Sequence, residues 1–323
     1  MTSGLYVAFD LDNTLGFFEL TNPLAYLWSP EFLRNPEQSA PNSPLQISKR
    51  LLVKLQKARN TFVKLLAKKE ELLWLVLRPN LSALMEPLVA AWRAGRVRAV
   101  IVYSNTSVSY SVELGVALIE EVFNAHGLFR LAADHWSPLR AADRQAPPAA
   151  DPTAYVEPLK TVETLKVLFR KAISGSSGSR SARTTSASSR PIPLKKVLFV
   201  DDRDPKHALA AQEREGLTYL VPTHYRPAGA TVPLVARQQL FALAIEAMDR
   251  AGLLHDKEYL ESGFCHRDIP HSWTKIQSVR GMNDLLQWVW GGIVGVRLGR
   301  EGWKEDTAEL VAASLEFFGP QDA

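Results

Sequence analysis

Val7-Ala8-Phe9-Asp10-Leu11-Asp12-Asn13-Thr14-Leu15 is the stretch on which the reading of the fold turns. Three apolar residues run into two carboxylates spaced one apart. An apolar run that stops at acidic residues reads as a buried strand ending at a site. Residues i and i+2 share one face of an extended chain, so Asp10 and Asp12 are expected to point the same way. Two like charges that close repel, and they call for a cation, a shared proton or a nearby Lys or Arg. The competing reading of this stretch alone is an acidic loop after a core strand.

The same design recurs downstream. Lys195-Lys196-Val197-Leu198-Phe199-Val200-Asp201-Asp202 is another apolar strand ending in two carboxylates. Between them, Val97 to Tyr103 is β-rich and nearly all apolar, and it stops at Ser104-Asn105-Thr106-Ser107. Helical spacing follows each strand or precedes the next. It runs over about Gln46 to Val76, Leu81 to Arg93 (with Pro79 expected in the first turn and Gly95 ending it), Tyr110 to Asn124, and through Leu165 and Leu168. Leu128 to Leu131 and Thr218 to Pro222 read as short strands. Leu234 to Ala251 reads as an amphipathic helix.

Strands alternating with helices predict an α/β fold, a parallel sheet with right-handed crossovers flanked by helices. Ligands in such sheets bind at the carboxyl ends of the strands. That edge would carry Asp10, Asp12, Ser104, Asn105, Asp201 and Asp202. Carboxylates with neutral oxygen donors suit a hard cation, Mg²⁺ first, and Mg²⁺ held by few carboxylates usually serves a phosphate. Ser104, Asn105 and the N–H groups opening the next helix would hold phosphate oxygens. Lys160 would add a positive charge near phosphate and carboxylates alike.

The rest of the chain sets limits. With 323 residues, 46% hydrophobic and 22% charged, it can build one large domain or two ordinary ones. Net charge is +4 and the pI near 9.1, which does not by itself indicate nucleic acid. A single cysteine, Cys265, excludes an internal disulfide and a Cys-based zinc site. No secretory signal or membrane-length apolar run is read, so a reducing intracellular compartment is expected. Residues 16–77 read as a Pro-punctuated and helical insertion or small cap. Its lysines and arginines are a solvated face or a basic lid. Residues 173–193, rich in Ser, Gly and Arg, read as a disordered loop. Residues 1–250 are taken as the core and 251–323 as a helical C-terminal extension. Cys265, His266, Asp268 and His271 are too irregularly spaced to read as a metal site.

The ordered motifs resemble the haloacid dehalogenase superfamily of phosphotransferases. Its Asp-x-Asp-x-Thr motif is matched by Asp10, Asp12 and Thr14, its Ser/Thr motif by Ser104 with Asn105, its Lys by Lys160, and its acidic fourth motif by Asp201 and Asp202. Lys166, Lys195 and Lys196 are fallbacks for the lysine. Within the superfamily the chain is closer to the branch holding phosphatases of the RNA polymerase II C-terminal domain and the NLI-interacting-factor-like group. Arg78-Pro79-Asn80-Leu81 resembles that branch's Arg-Pro-x-Leu, and Tyr103 to Ser107 its Phe-Thr-Ala-Ser element. Two features depart from it: Asp201-Asp202 stands where the branch has Asp-Asn, and the insertion looks helical.

The resemblance implies a Mg²⁺-dependent phosphomonoesterase whose substrate is a phosphorylated molecule, first a Ser/Thr phosphoprotein. Asp10 is then the nucleophile and Asp12 the acid/base. Ser104, Asn105 and Lys160 bind phosphate, and Thr14 and Arg78 support the loop. Asp10, Asp12 (through its backbone carbonyl), Asp201 and Asp202 serve the metal, with the order of the last two open. A phosphatase of a small metabolite or nucleic-acid end, and a scaffold on an inactive fold, are the alternatives.

Overall fold

The computed structural model describes residues 4–21, 24, 27–28, 30, 33–34, 47–106, 109–134, 137–140, 160–174, 191–203, 216–222, 234–261, 263–266 and 269–272. Most of the Ser-rich loop and of the 251–323 extension lie outside them, as do the side chains of Cys265, His266, Asp268 and His271. The described residues form two compact units. One draws on Met1–Phe18 and Leu77–Arg226, the other on Glu19–Val76 and Pro227–Gly299.

The first unit is the α/β layer structure. Its strands are β1 (Leu5–Phe9), β2 (Val97–Tyr103), β3 (Phe129–Ala133), β4 (Val197–Val200) and β5 (Thr218–Leu220). Its helices are α1 (Leu81–Arg93), α2 (Ser109–Val122) and α3 (Val162–Ser174). The five strands form one sheet in the order β3-β2-β1-β4-β5, every neighbour parallel. The order reverses between β1 and β4, where open α/β sheets bind their ligands. Strand and helix limits fall close to those read from the sequence, with two exceptions. The 46–76 helix is two helices, Lys49–Leu66 and Glu70–Val76. Pro79 lies before α1 rather than in its first turn, because Asn80 takes a left-handed conformation (φ 60°) to open the helix.

Side-chain direction follows the strand period of two. Tyr6 and Ala8 of β1, Ala99, Ile101 and Tyr103 of β2, and Val197 and Phe199 of β4 pack on Leu165, Leu168 and Phe169 of α3 in one core. Val7, Phe9, Val100, Val102, Leu198 and Val200 are equally buried on the other face. A sheet covered on both faces explains why its strands read as continuous apolar runs. Helix α1 ends at Gly95 (φ 71°), whose N–H donates to Trp92 C=O while Arg96 N–H reaches Ala91 C=O, a glycine-terminated cap. Helix α2 carries Gly115 where a Cβ would sit 3.0 Å from the Phe18 ring and 3.1 Å from Leu11, so the helix passes close to the segment after β1.

The second unit is built on two helices. The 49–66 helix, capped by the Ser48 hydroxyl accepting from Leu51 N–H at 3.1 Å, packs along the Leu234–Arg250 helix. Sequence periodicity shows an apolar side on the latter, and in the structure the 49–66 helix lies against it. Lys54 pairs with Asp256 and donates to Gly252 C=O at 3.2 Å. The Tyr259 hydroxyl donates to Leu27 C=O at 2.7 Å. Backbone pairing joins Leu33–Arg34, Gly263–His266 and Ile269–Ser272 in a small antiparallel sheet.

Candidate active site

Three strand tips meet at one edge. Phe9 is in register with Val200 and with Val102, so Asp10 lies level with Asp201 and Tyr103, and Ser104 one residue further on. Asp10 N–H donates to Val200 C=O at 2.8 Å, and Ser104 N–H to Ala133 C=O at 2.9 Å. The alternation that puts Tyr6 and Ala8 toward α3 carries Asp10 to that side, and Val197 and Phe199 carry Asp201 there too.

Lys160 comes to the same side. It directly precedes Thr161, whose hydroxyl accepts from Thr164 N–H at 3.1 Å as an N-cap of α3. Thr161 N–H in turn donates to the Tyr103 hydroxyl at 2.9 Å, which fixes the start of the helix against β2. The lysine is fully buried. Its Nζ donates to Asp10 Oδ1 and Asp201 Oδ2, both at 2.6 Å, and lies 5.7 Å and 5.6 Å from the ring centroids of Tyr103 and Phe199. A buried ammonium is costly unless paired, and here it has two carboxylates and two aromatic faces.

Asp202, one residue on, is held by Thr14. Its Oδ1 accepts from the Thr14 hydroxyl at 3.1 Å, and its N–H donates back to Thr14 Oγ1 at 2.9 Å. A hydroxyl has one proton, so the longer 3.4 Å contact from Thr14 to Asp10 Oδ2 is the weaker. Carboxylate oxygens of Asp10, Asp201 and Asp202 lie within 4.8 Å of one another, the one such acidic cluster among the described residues. Asp12 falls outside it. The strand ends at Phe9, and the chain turns: Leu15 N–H returns to Leu11 C=O at 2.9 Å, and Asn13 takes φ 62°. The extended alternation thus ends with the strand, and Asp12 belongs to the turn.

Arg78 holds that turn. Its Nε donates to Thr14 C=O at 2.7 Å and one terminal nitrogen to Asn13 C=O at 2.8 Å, while its own N–H reaches Leu15 C=O at 3.0 Å. Leu77 beside it bridges to Gly16.

The electrostatics are unbalanced. Three carboxylates and one ammonium leave two negative charges in excess within the cluster when all are ionised. Burial pushes the Asp10 carboxyl up from its ordinary 3.8 to about 6; Lys160 draws it down, and Asp201 and Asp202 push it up again. An acidic cluster with unspent negative charge and all-oxygen donors fits a hard divalent cation such as Mg²⁺.

One residue of this edge was not singled out in the sequence. Arg140, in the short turn Pro138–Arg140 after β3, is fully buried. It donates to Ser104 C=O, and to Asn105 Oδ1 at 2.5 Å, and its guanidinium carbon lies 4.8 Å above the Tyr103 ring centroid. A lone arginine in an Ala- and Pro-rich stretch carries no periodic signal.

No protein-family model matches the chain, and no curated protein sequence matches it significantly. Among solved structures it is similar to CbbY from Rhodobacter sphaeroides in complex with phosphate. The identity is 17%, the match covers 68% of this chain and 86% of that one, and the TM-score is 0.31. A likeness that distant bears on neither fold nor chemistry, which rest on the geometry above.

Proposed function

We propose that the chain is a Mg²⁺-dependent phosphomonoester hydrolase working through an aspartyl-phosphate on Asp10. The observation that carries this reading is Lys160 joined at 2.6 Å to both Asp10 and Asp201, with Asp202 completing the acidic cluster at the carboxyl edge of a parallel sheet. Asp10, Asp201 and Asp202, with the Asp12 backbone carbonyl that the resemblance implies, would hold Mg²⁺. Bound there, the ion supplies positive charge to both the carboxylates and the phosphoryl oxygens.

The chain's own residues do the rest. Lys160 holds Asp10 by Oδ1, leaving Oδ2, with its long contact to Thr14, as the oxygen that attacks phosphorus. The ester P–O bond breaks and the leaving oxygen takes a proton from Asp12. Asp12 then removes a proton from water. The oxygen of that water attacks phosphorus, and the bond to Asp10 Oδ2 breaks to release phosphate. Ser104 and Asn105 bind the phosphoryl oxygens, and Lys160 adds its charge. Thr14 and Arg78 keep the turn after Asp10 in place.

For the substrate we favour a Ser/Thr phosphoprotein, on the Arg78-Pro79-Asn80-Leu81 resemblance. A specific observation favours a second reading, a small phosphorylated metabolite: Glu19–Val76 belongs with Pro227–Gly299 to a second compact unit, and a sizeable unit inserted after the first motif usually serves small substrates. The test is hydrolysis of an aryl phosphate with Mg²⁺, with EDTA and after Asp10→Asn, followed by a panel of phosphopeptides, sugar phosphates and nucleotides. Activity that survives Asp10→Asn sinks the aspartyl-phosphate. No hydrolysis of any phosphomonoester favours a binding protein on this fold.

A further inference from the structure

Arg140 stands 35 and 36 residues from Asn105 and Ser104 in sequence, yet its buried guanidinium holds both. A solvated arginine would serve as well on the surface. Burying one is costly, and Ser104 C=O, Asn105 Oδ1 and the Tyr103 ring are partners that offset that cost.

What those contacts dictate is orientation. The Ser104–Asn105 peptide is planar and trans, so its C=O and N–H point in opposite directions. With Ser104 C=O turned inward to Arg140, Asn105 N–H is turned away from it. The Asn105 side chain is fixed in the same sense. Its Oδ1 accepts from Arg140, so its NH₂, two donors, is directed away from the guanidinium. Without a cation at that spot, nothing in the amide itself selects between O and NH₂. The same guanidinium lies over Tyr103, whose hydroxyl accepts from Thr161 N–H beside Lys160. One side chain thus ties the Ser104–Asn105 loop to the element that carries the lysine.

We propose that Arg140 is a positioning residue that turns the Asn105 backbone N–H and side-chain NH₂ outward as a paired donor site for the oxygens of a phosphoryl group. This rests on the phosphatase reading above and adds a residue to it that touches no reacting atom. Lysine cannot replace it, because an ammonium cannot reach two acceptors in one plane while stacking on a ring.

The test measures binding of inorganic phosphate by calorimetry in the presence of Mg²⁺, beside kcat and KM on an aryl phosphate. Arg140→Met and Arg140→Lys should each weaken phosphate binding by about tenfold or more, as expected when a charge-assisted network is broken. The double variant Arg140→Met/Asn105→Ala should bind no worse than the weaker single variant, because both remove one device. Additive losses, or unchanged phosphate affinity in folded Arg140→Met, overturn the proposal while leaving the phosphatase reading standing. If Arg140→Met does not fold, Arg140→Gln decides: it keeps a neutral donor for one acceptor and loses the paired fork, so phosphate affinity equal to wild type overturns the proposal and about a tenfold loss supports it. A wild-type protein that neither binds phosphate nor hydrolyses any phosphomonoester takes down both.

Discussion

Replacing Lys160 by Met tests the electrostatic heart of the site. Methionine matches the lysine stem in length and suits the space between the Tyr103 and Phe199 rings, so little cavity cost is expected. What is lost is two charge-assisted hydrogen bonds of 2.6 Å at a fully buried position, with two carboxylates left facing each other. Removing one partner of a buried ion pair costs about 3–5 kcal/mol. The cost has a pH signature. Asp10 is raised from 3.8 to about 6, so in wild type its contribution is fully present below pH 3.8 and is lost as pH rises through about 6. Without Lys160, which pulls that value down, the window extends further upward. Urea denaturation of the metal-free proteins should therefore show a deficit of about 3–5 kcal/mol in the variant at about pH 7.5 and a smaller one at about pH 4, where Asp10 is largely neutral in both. Millimolar Mg²⁺ should recover part of the deficit. A deficit under about 1 kcal/mol, or one that is the same at both pH values, refutes the reasoning.

Asp10→Asn removes a carboxylate whose ionisation the fold opposes, so metal-free stability at about pH 7.5 should rise by about 1–3 kcal/mol while hydrolysis falls by at least about 10³-fold; calorimetric melting and an initial-rate assay check the pair. Thr14→Val strips Asp202 of a donor to its carboxylate and an acceptor for its N–H. It should cost about 1–3 kcal/mol and weaken Mg²⁺ binding, read by titration calorimetry. Arg78→Met leaves the carbonyls of Asn13 and Thr14 without that guanidinium. It should lower kcat more than it raises KM and cost about 2–4 kcal/mol, and a variant whose kcat is unchanged removes the turn from the catalytic account.

The sheet was legible because its strands are buried on both faces: Ala99–Tyr103 and Val197–Val200 are continuous apolar runs that stop where polar residues begin. Asp10, Ser104 and Asp201 could be placed at one edge for that reason. Which of Asp201 and Asp202 pairs with Lys160 could not be chosen in sequence, since it follows from which face α3 covers. Periodicity also shows that a helix has an apolar side without showing what lies against it, so the pairing of Leu234–Arg250 with the 49–66 helix could not be read in advance. Arg140 was invisible because its meaning lies in burial, and a single residue has no period. Among the described residues no helix is long and apolar enough to cross a membrane.

The bridge between Gly16 and Leu77, reinforced by Arg78 on Asn13 and Thr14, means that the path leaves the sheet and rejoins it at adjoining points. A detour with neighbouring ends can be lengthened at small entropic expense, since closure cost grows only with the logarithm of length. The 60 residues between the two ends of that bridge are thus a modular graft on the sheet rather than part of its frame. Grafting out or swapping the module would require its other half as well, because the Leu234–Arg250 helix rests on the 49–66 helix it contains. The consequence is architectural: the helical accessory is one module supplied by two separate stretches of the chain, Glu19–Val76 and Pro227–Gly299.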